Sequence, residues 1–116
     1  MDDSLYHYNA SLLRIVDGDT FDAMIDMGFS CFCKQRIRIL GIQCPEIHTK
    51  DAEAKAGGIA ASYYAHEIMD SASQLVIRTV SKDSFGRWLA DVWSDGKSVG
   101  DRMLAAGHAT VYVAKR

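Results

Sequence analysis

Three short segments of the sequence combine acidic residues, arginines and tight turns. They are residues 16–20 (Val-Asp-Gly-Asp-Thr), 38–46 (Arg-Ile-Leu-Gly-Ile-Gln-Cys-Pro-Glu) and 83–88 (Asp-Ser-Phe-Gly-Arg-Trp). Guanidinium groups pair with phosphate oxygens through two parallel hydrogen bonds, and carboxylates bind hard cations or accept protons. Taken singly, each segment is more typical of an ordinary turn or of a strand that begins with solvated charges. Only the three segments in combination indicate a specific chemistry.

The residue types suggest distinct chemical roles. Arg38 and Arg87 fit the binding of a phosphodiester group, because hydrolysis of such an ester builds negative charge on the phosphate oxygens. Asp19, at the start of a strand, offers a carboxylate oxygen of the kind that a hard divalent cation prefers, whereas Asp17 is interpreted as a turn residue or as a support for that site. Glu46 follows a proline turn, where a carboxylate is able to accept a proton from an attacking water or to orient that water.

Five runs of residues have strand character and are separated by turn signals such as Asp17-Gly18 and Met27-Gly28. The predicted strands are 10–16, 20–27, 31–40, 74–80 and 87–93, with a last extended segment at 108–113. In the third strand Cys31 and Cys33 share a face with Ile37 and Ile39, so this face is predicted to lie in the core.

Two helices are predicted between and after these strands. Residues 48–55 are polar and loop-like. A helix is expected to open at Gly57-Gly58 and to end near residue 71, packing through Ala61, Ala65, Ile68 and Ala72. Residues 99–106 form a second, short helix, with a capping box at its start and a glycine at its end. The fold class is therefore β-rich α+β, a five-stranded barrel of the oligonucleotide/oligosaccharide-binding (OB) kind with two helices, closed or partly open.

Composition sets limits on the class of protein. The chain has 116 residues, of which 48% are hydrophobic and 24% charged, so a single domain over residues 1–116 is expected and a disordered tail is excluded. The uncharged stretches are shorter than the roughly 18 apolar residues of a membrane span, and the amino terminus lacks the basic region of a signal peptide. We therefore expect a cytoplasmic protein without a membrane partner. The formal net charge of −2 argues against a broad basic surface that coats duplex DNA, but not against a local phosphate site.

The three cysteines fit neither a disulfide framework nor a paired zinc motif. They are interpreted as buried reduced thiols. A soft-metal site at Cys31 and Cys33 is disfavoured, because none of the four histidines has ligand spacing.

Taken together, the three segments resemble the staphylococcal nuclease (thermonuclease) family. The matching pattern is an Asp-Gly-Asp-Thr turn, an arginine (Arg38) eight positions before the glutamate of a Pro-Glu pair (Glu46), and an aromatic-Gly-Arg further on, here Phe85-Gly86-Arg87. The resemblance runs from about Leu12 to about Val113 and implies the five-stranded OB barrel. It also implies calcium-dependent hydrolysis of DNA and RNA with little sequence preference, leaving 3′-phosphates, and a catalytic role for Arg38, Glu46 and Arg87 at the scissile phosphate.

The cation site departs from the family pattern. The resemblance implies that Asp19, the residue at position 43 and the backbone carbonyl of Cys44 hold the metal, but position 43 is Gln43 where the family has aspartate. One negative charge is missing from the site, and affinity in calcium sites follows ligand charge. We therefore expect weak calcium binding, or use of Mg²⁺ or Mn²⁺.

The sequence therefore predicts a metal-dependent endonuclease that acts on single-stranded or flexible DNA or RNA, with no evident obligate protein partner. Tyr112 is the preferred base-stacking residue, ahead of Trp88 and Trp93, and Lys82 is a candidate phosphate contact because Ser84 stands where relatives often have lysine. The alternative is an OB-fold module that binds nucleic acid but is catalytically weak or inactive.

Overall fold

The computed structural model describes residues 5–112. Its elements follow the chain as β1 (His7–Asp17), β2 (Thr20–Gly28), β3 (Cys31–Ile39), β4 (Ile42–Gln43), α1 (Ala52–Asp70), β5 (Leu75–Lys82), β6 (Trp88–Ser94), β7 (Lys97–Ser98), α2 (Val99–Ala105) and β8 (Thr110–Val111). The end of the predicted extended segment, residue 113, lies outside the described residues. Within residues 5–112, neither helix is long and apolar enough to cross a membrane.

The five long strands form a closed barrel. β1 pairs antiparallel with β2 and β5, β2 with β3, and β5 with β6. The sheet closes because residues 37–39 of β3 pair in parallel with residues 88–90 of β6. β7 extends the sheet beside β6, and β4 pairs with β8 in a small separate sheet. The predicted five-stranded OB barrel with two helices is confirmed.

Alternating side chains fill the barrel interior. Residues 20–27 alternate in sequence, which predicts that Phe21, Ala23, Ile25 and Met27 share the inward face of β2. The first three are fully buried, but Met27 is 41% exposed.

Helix α1 packs on β1 and α2, and its Ala61, Ala65 and Ile68 join the core. These residues fall on one helical face, as predicted. Ala72, which was expected to share that face, lies beyond the end of the helix at Asp70.

The start of α1 differs from the prediction. The helix begins at Ala52, within the segment that was expected to be a loop, and residues 57–58 lie inside it. Asp51 caps the helix, since its carboxylate accepts hydrogen bonds from the backbone N–H groups of Glu53 and Ala54, at 3.0 and 3.4 Å. This capping stabilises the first turn of the helix.

The expectation of three buried cysteines is wrong for Cys31 and only partly right for Cys33. Cys44 is buried, but Cys31 is exposed and Cys33 is half-buried. Along the distal part of the β2–β3 hairpin the two strands pair only with each other within the described residues. Residues 26–32 around the turn of this hairpin are all exposed, so neither face of the hairpin is covered there.

The second helix agrees closely with its prediction. Ser98 caps α2 by accepting a hydrogen bond from the backbone N–H of Asp101 at 3.2 Å. Gly107 follows the helix with φ of +79°, a backbone conformation that favours glycine.

Candidate functional site

Four connections meet at one side of the barrel: the β1–β2 turn, the end of β3, the segment after β4 and the β5–β6 loop. Together they enclose a cavity of about 580 Å³, which we call the site cavity. Seven of the eight predicted site residues line it: Asp19, Arg38, Gln43, Cys44, Glu46, Arg87 and Tyr112. Lys82 is not among them, because it lines a different cavity on the β5–β6 hairpin.

Asp19 lies in the β1–β2 turn, next to the end of β3, and hydrogen bonds hold it in place. Only 8% of the residue is exposed, and its carboxylate accepts hydrogen bonds from the Thr20 hydroxyl (3.1 Å) and the Cys44 backbone N–H (2.9 Å). The backbone carbonyl of Asp19 also accepts the N–H of Ile39 at 2.8 Å. These contacts fix one carboxylate at the wall of the site cavity.

Gly18, the residue before Asp19, lets the turn approach helix α1 and the segment after β4. A Cβ atom at this position would lie 2.8 Å from Cβ of Ala61 and 2.9 Å from Sγ of Cys44. Both distances are too short for carbon and sulfur atoms in contact, so only glycine allows this packing. The β1–β2 turn therefore packs directly against helix α1 and Cys44.

Arg38 lies beside this carboxylate. Its Nη1 atom donates a hydrogen bond to the carbonyl of Ile39 at 2.7 Å and lies 3.6 Å from Oδ2 of Asp19. The guanidinium carbon is 5.5 Å from the centroid of the Tyr112 ring, within the range of a cation–π contact. Because a guanidinium has five N–H donors, this anchoring leaves donors for an anion in the cavity.

The β5–β6 loop holds Arg87 in place through Asp83. Oδ1 of Asp83 accepts the backbone N–H groups of Phe85 (2.9 Å) and Arg87 (3.0 Å), and Oδ2 accepts Nε of Arg87 at 2.6 Å. Burial opposes ionisation of Asp83, but these hydrogen bonds outweigh it and lower the pKa of the carboxyl below its ordinary value. The sequence analysis gave Asp83 no role, although an Asp three residues before a turn glycine, here Gly86 with φ of +83°, is typical of a side chain that caps its own turn.

Glu46 lies on the segment between β4 and α1, and its side chain lines the site cavity. The segment is held from two directions. The backbone N–H of Ile47 donates to Oδ1 of Asp17 at 3.4 Å, and a Cβ atom added at Gly58 of α1 would lie only 2.7 Å from the carbonyl oxygen of Glu46. The helix therefore presses directly against the backbone that carries Glu46.

Two groups that line the cavity, the half-buried Asp17 and the buried Cys44, have raised pKa values. Burial raises the pKa of Asp17, and the carboxylates of Asp19 and Glu46 add to the effect, against a hydrogen bond from Ile47. Burial, together with the Asp19 carboxylate, raises the pKa of the Cys44 thiol to about 12. Cys44 is therefore a neutral thiol at pH 7, and its backbone carbonyl is the group suited to a hard cation.

The donor atoms of the cavity fit a weakly held hard cation. Within residues 5–112, no three His, Cys, Asp or Glu side chains are grouped so that they could hold a metal ion. The oxygen donors that line the cavity on this side are the carboxylates of Asp17, Asp19 and Glu46 and the side-chain amide of Gln43. Oxygen ligands suit Ca²⁺, Mg²⁺ or Mn²⁺, and the neutral amide of Gln43 adds no charge to the set.

Comparisons with known proteins agree with this architecture. Residues 36–116 match the family model described as staphylococcal nuclease homologue. The chain is 32% identical over 105 residues to endonuclease YncB of Bacillus subtilis, covering 89% of this chain and 47% of that protein. It is 24% identical over 134 residues to the uncharacterized protein MJ1439 of Methanocaldococcus jannaschii, covering 96% of this chain and 62% of that protein. The chain thus spans less than two thirds of the length of either relative.

Proposed function

The chain belongs to the family of staphylococcal nuclease homologues, and from this premise we propose that it is a metal-dependent nuclease that hydrolyses phosphodiester bonds of DNA or RNA. The observation that carries the proposal is the convergence of Arg38, Arg87, Asp19 and Glu46 on one cavity. A similarity to a protein named as an endonuclease supports the same reaction class. Internal cleavage that leaves 3′-phosphates is the product pattern that the family resemblance implies.

Arg38 and Arg87 are proposed as the catalytic cations. Each is anchored by a short hydrogen bond, to the Ile39 carbonyl and to Asp83, so their positions are set before substrate binds. Preorganised donors stabilise the charge that develops on the phosphate oxygens without further reorganisation. Removal of one such donor commonly lowers kcat by about 10²–10³-fold.

Glu46 is proposed to act on the attacking water. It is exposed to the site cavity, where a carboxylate is able to accept a proton from water or to orient it. Both roles need the same placement relative to the phosphate. The support of this segment by Gly58 and Asp17 therefore matters for the reaction.

A divalent cation is proposed at the carboxylate of Asp19, with the Gln43 amide and the Cys44 backbone carbonyl as further ligands. When bound, the cation supplies positive charge next to the scissile phosphate. We expect weak binding, because Gln43 carries no charge and both oxygens of Asp19 already accept hydrogen bonds. Calcium is the cation that the family resemblance implies, with Mg²⁺ or Mn²⁺ as substitutes.

Single-stranded or flexible nucleic acid is the proposed substrate. The site cavity is concave, so an unpaired strand brings its phosphate between the two arginines more easily than a duplex does. Tyr112, 44% exposed beside Arg38, presents a ring on which a base could stack. The formal net charge of −2 also offers little general attraction for duplex DNA.

The alternative is a module that binds nucleic acid without cleaving it. Gln43 favours this alternative, because a neutral ligand weakens the cation site on which hydrolysis depends. Retention of both arginines, Asp19 and Glu46 in one cavity favours the enzyme, since binding alone does not require this set.

The two functions are separated by incubating labelled single-stranded DNA and RNA with the protein in Ca²⁺, Mg²⁺, Mn²⁺ or EDTA. The nuclease predicts cleavage that EDTA abolishes and that Arg38→Ala reduces by about 10²-fold or more. Arg78→Ala is the matched control, because Arg78 pairs with Asp91 on the barrel surface, away from the site cavity. Binding without cleavage in every metal would establish the module instead.

A further inference from the structure

A second cavity lies on the β5–β6 hairpin, beside the site cavity. It has a volume of about 230 Å³, and we call it the hairpin cavity. Three of its walls are large apolar or aromatic side chains, from β1, β2 and β6, and the rest comes from the end of β5. The lining residues are Tyr8, Met27, Trp88, Thr79, Val80, Ser81 and Lys82.

The hairpin cavity combines flat apolar surface with a cation and hydroxyl groups. Lys82 and Trp88 are direct partners across the β5–β6 ladder, so their Cβ atoms lie about 5 Å apart. Thr79 and Ser81 add hydroxyl groups on the same strand. An aromatic ring with an adjacent ammonium group is the combination by which proteins hold an unpaired base and its phosphate.

The size of the hairpin cavity suits one planar ring. Pockets for whole drug-sized ligands measure about 300–1,000 Å³, and this cavity falls below that range. Its apolar wall is also incompletely covered, since Met27 is 41% and Val80 54% exposed. Val80 lies where the register between β5 and β6 shifts, which leaves room beside Trp88.

The two cavities are joined by the same hairpin. Lys82, the last residue of β5, and Trp88, the first residue of β6, line the hairpin cavity, whereas the loop residues next to them, Asp83 and Arg87, line the site cavity. A nucleic-acid strand held at Arg87 therefore reaches the hairpin cavity by passing over the edge of this hairpin.

From these observations we propose that the hairpin cavity is a second nucleotide subsite, which binds one base of a single-stranded nucleic acid next to the nucleotide held in the site cavity. Trp88 stacks on the base, and Lys82 binds the flanking phosphate. This inference rests on the proposed function, because it takes the strand in the site cavity as its starting point. The sequence analysis expected Lys82 to contact a phosphate in the site cavity. The proposed subsite instead gives Lys82 a phosphate contact in the hairpin cavity.

Binding is measured in EDTA, so that cleavage plays no part. The probes are oligothymidylates of two and of about ten nucleotides, and the readout is tryptophan fluorescence in a Trp93→Phe background, in which Trp88 alone reports. Phenylalanine keeps a ring against His7, on which Trp93 stacks at 5.5 Å. We expect the longer probe to quench Trp88 and to bind more tightly than the dinucleotide.

Lys82→Gln should weaken binding of the longer probe about 5- to 10-fold and reduce its advantage over the dinucleotide. Trp88→Leu removes the fluorescent reporter, so its binding is measured by the anisotropy of a dye-labelled ten-nucleotide probe; this variant keeps an apolar side chain on the barrel and should bind the probe about tenfold more weakly than the parent, in the range measured for loss of one base stack. Lys97→Gln is the charge-matched control, because Lys97 lies on β7 and lines neither cavity.

Two failures are distinguishable. If the longer probe binds without quenching Trp88, and Lys82→Gln behaves like Lys97→Gln, the subsite is overturned while cleavage at the site cavity stands. If the protein binds the probe with quenching but cleaves nothing in any metal, the nuclease proposal fails and the subsite holds. If neither probe binds in EDTA, the subsite is overturned, and the cleavage assay in the presence of metal alone decides the nuclease proposal.

Discussion

Two adjacent glycines of α1 provide a matched test of how the helix positions the Glu46 segment. A Cβ atom at Gly58 would lie 2.7 Å from the carbonyl oxygen of Glu46 and 2.8 Å from that of Pro45. At Gly57 the nearest neighbour is instead a side-chain carbon of Pro45 at 3.4 Å, which is ordinary contact. The substitutions Gly58→Ala and Gly57→Ala therefore differ in one respect, the collision with backbone.

The expected free energies of unfolding follow from these distances. Replacing glycine by alanine inside a helix stabilises it by about 0.5–1 kcal/mol, and this gain applies to both positions. Gly58→Ala also overpacks the contact with Glu46, at a cost of roughly 1–3 kcal/mol, because a backbone carbonyl cannot rotate away as a side chain can. Gly57→Ala should therefore raise stability, and Gly58→Ala should be less stable than Gly57→Ala by about 1–3 kcal/mol.

Urea unfolding of both variants measures this difference, with equal m-values as the check that the unfolded states are comparable. Activity gives an independent reading. A displacement of about 1 Å at a reacting group costs up to roughly 10²-fold in rate, so kcat of Gly58→Ala should fall by 10- to 100-fold while that of Gly57→Ala stays within about twofold. Equal stability and equal kcat of the two variants would show that contact between Gly58 of α1 and the backbone of Glu46 does not position Glu46.

Three further substitutions probe other parts of the site. Gln43→Asp restores a charged ligand and should tighten calcium binding about tenfold or more by calorimetry; unchanged affinity would remove Gln43 from the cation site. Asp83→Asn should lower kcat, because it frees Arg87. The wild type should also be more stable than this variant at pH values above the ordinary aspartate pKa near 4, and this difference should disappear as pH falls through the lowered pKa of Asp83. Urea unfolding between pH 7 and 3 measures the difference. Gly18→Ala should destabilise the fold by roughly 1–3 kcal/mol in thermal or urea unfolding, because its Cβ would lie 2.8 Å from Cβ of Ala61; wild-type stability would contradict the close packing of the turn.

Local periodicity predicted the strands well because it reports which side chains share a face. The alternation along β2 placed Phe21, Ala23, Ile25 and Met27 on one side, and the structure buries all of these except Met27, which lies near the hairpin turn. The same reasoning failed for Cys31, because periodicity does not reveal whether another sheet covers that face. At the end of the β2–β3 hairpin the inward face is uncovered, so Cys31 is exposed.

The helix start was missed for a tertiary reason. Gly57 and Gly58 predicted a helix boundary, since each glycine costs about 1 kcal/mol in a helix interior. In the structure Gly58 lies inside the helix, and this helical position requires glycine because no side chain fits between it and the carbonyl of Glu46. The local cost is offset by packing between residues distant in sequence, and that packing cannot be predicted from local composition.

The site itself was predictable mainly through the pattern of the three segments. Their residue types indicated phosphate and cation chemistry, and the family pattern indicated that they meet. The supporting contacts were not predictable to the same degree. Asp83 holds Arg87 through side-chain hydrogen bonds within the loop, and Lys82, the last residue of β5, lines a separate cavity.

The central claim is that two fixed guanidinium groups act on one phosphate, and kcat of Arg87→Lys under saturating single-stranded substrate tests it most directly. Lysine keeps the charge but loses the fork that binds Asp83 and phosphate together, so kcat should fall by about 10²-fold or more while KM changes by only a few-fold. The matched control, Arg78→Lys, should retain wild-type kcat, because Arg78 pairs with Asp91 away from the cavity. Wild-type kcat in Arg87→Lys would contradict the account.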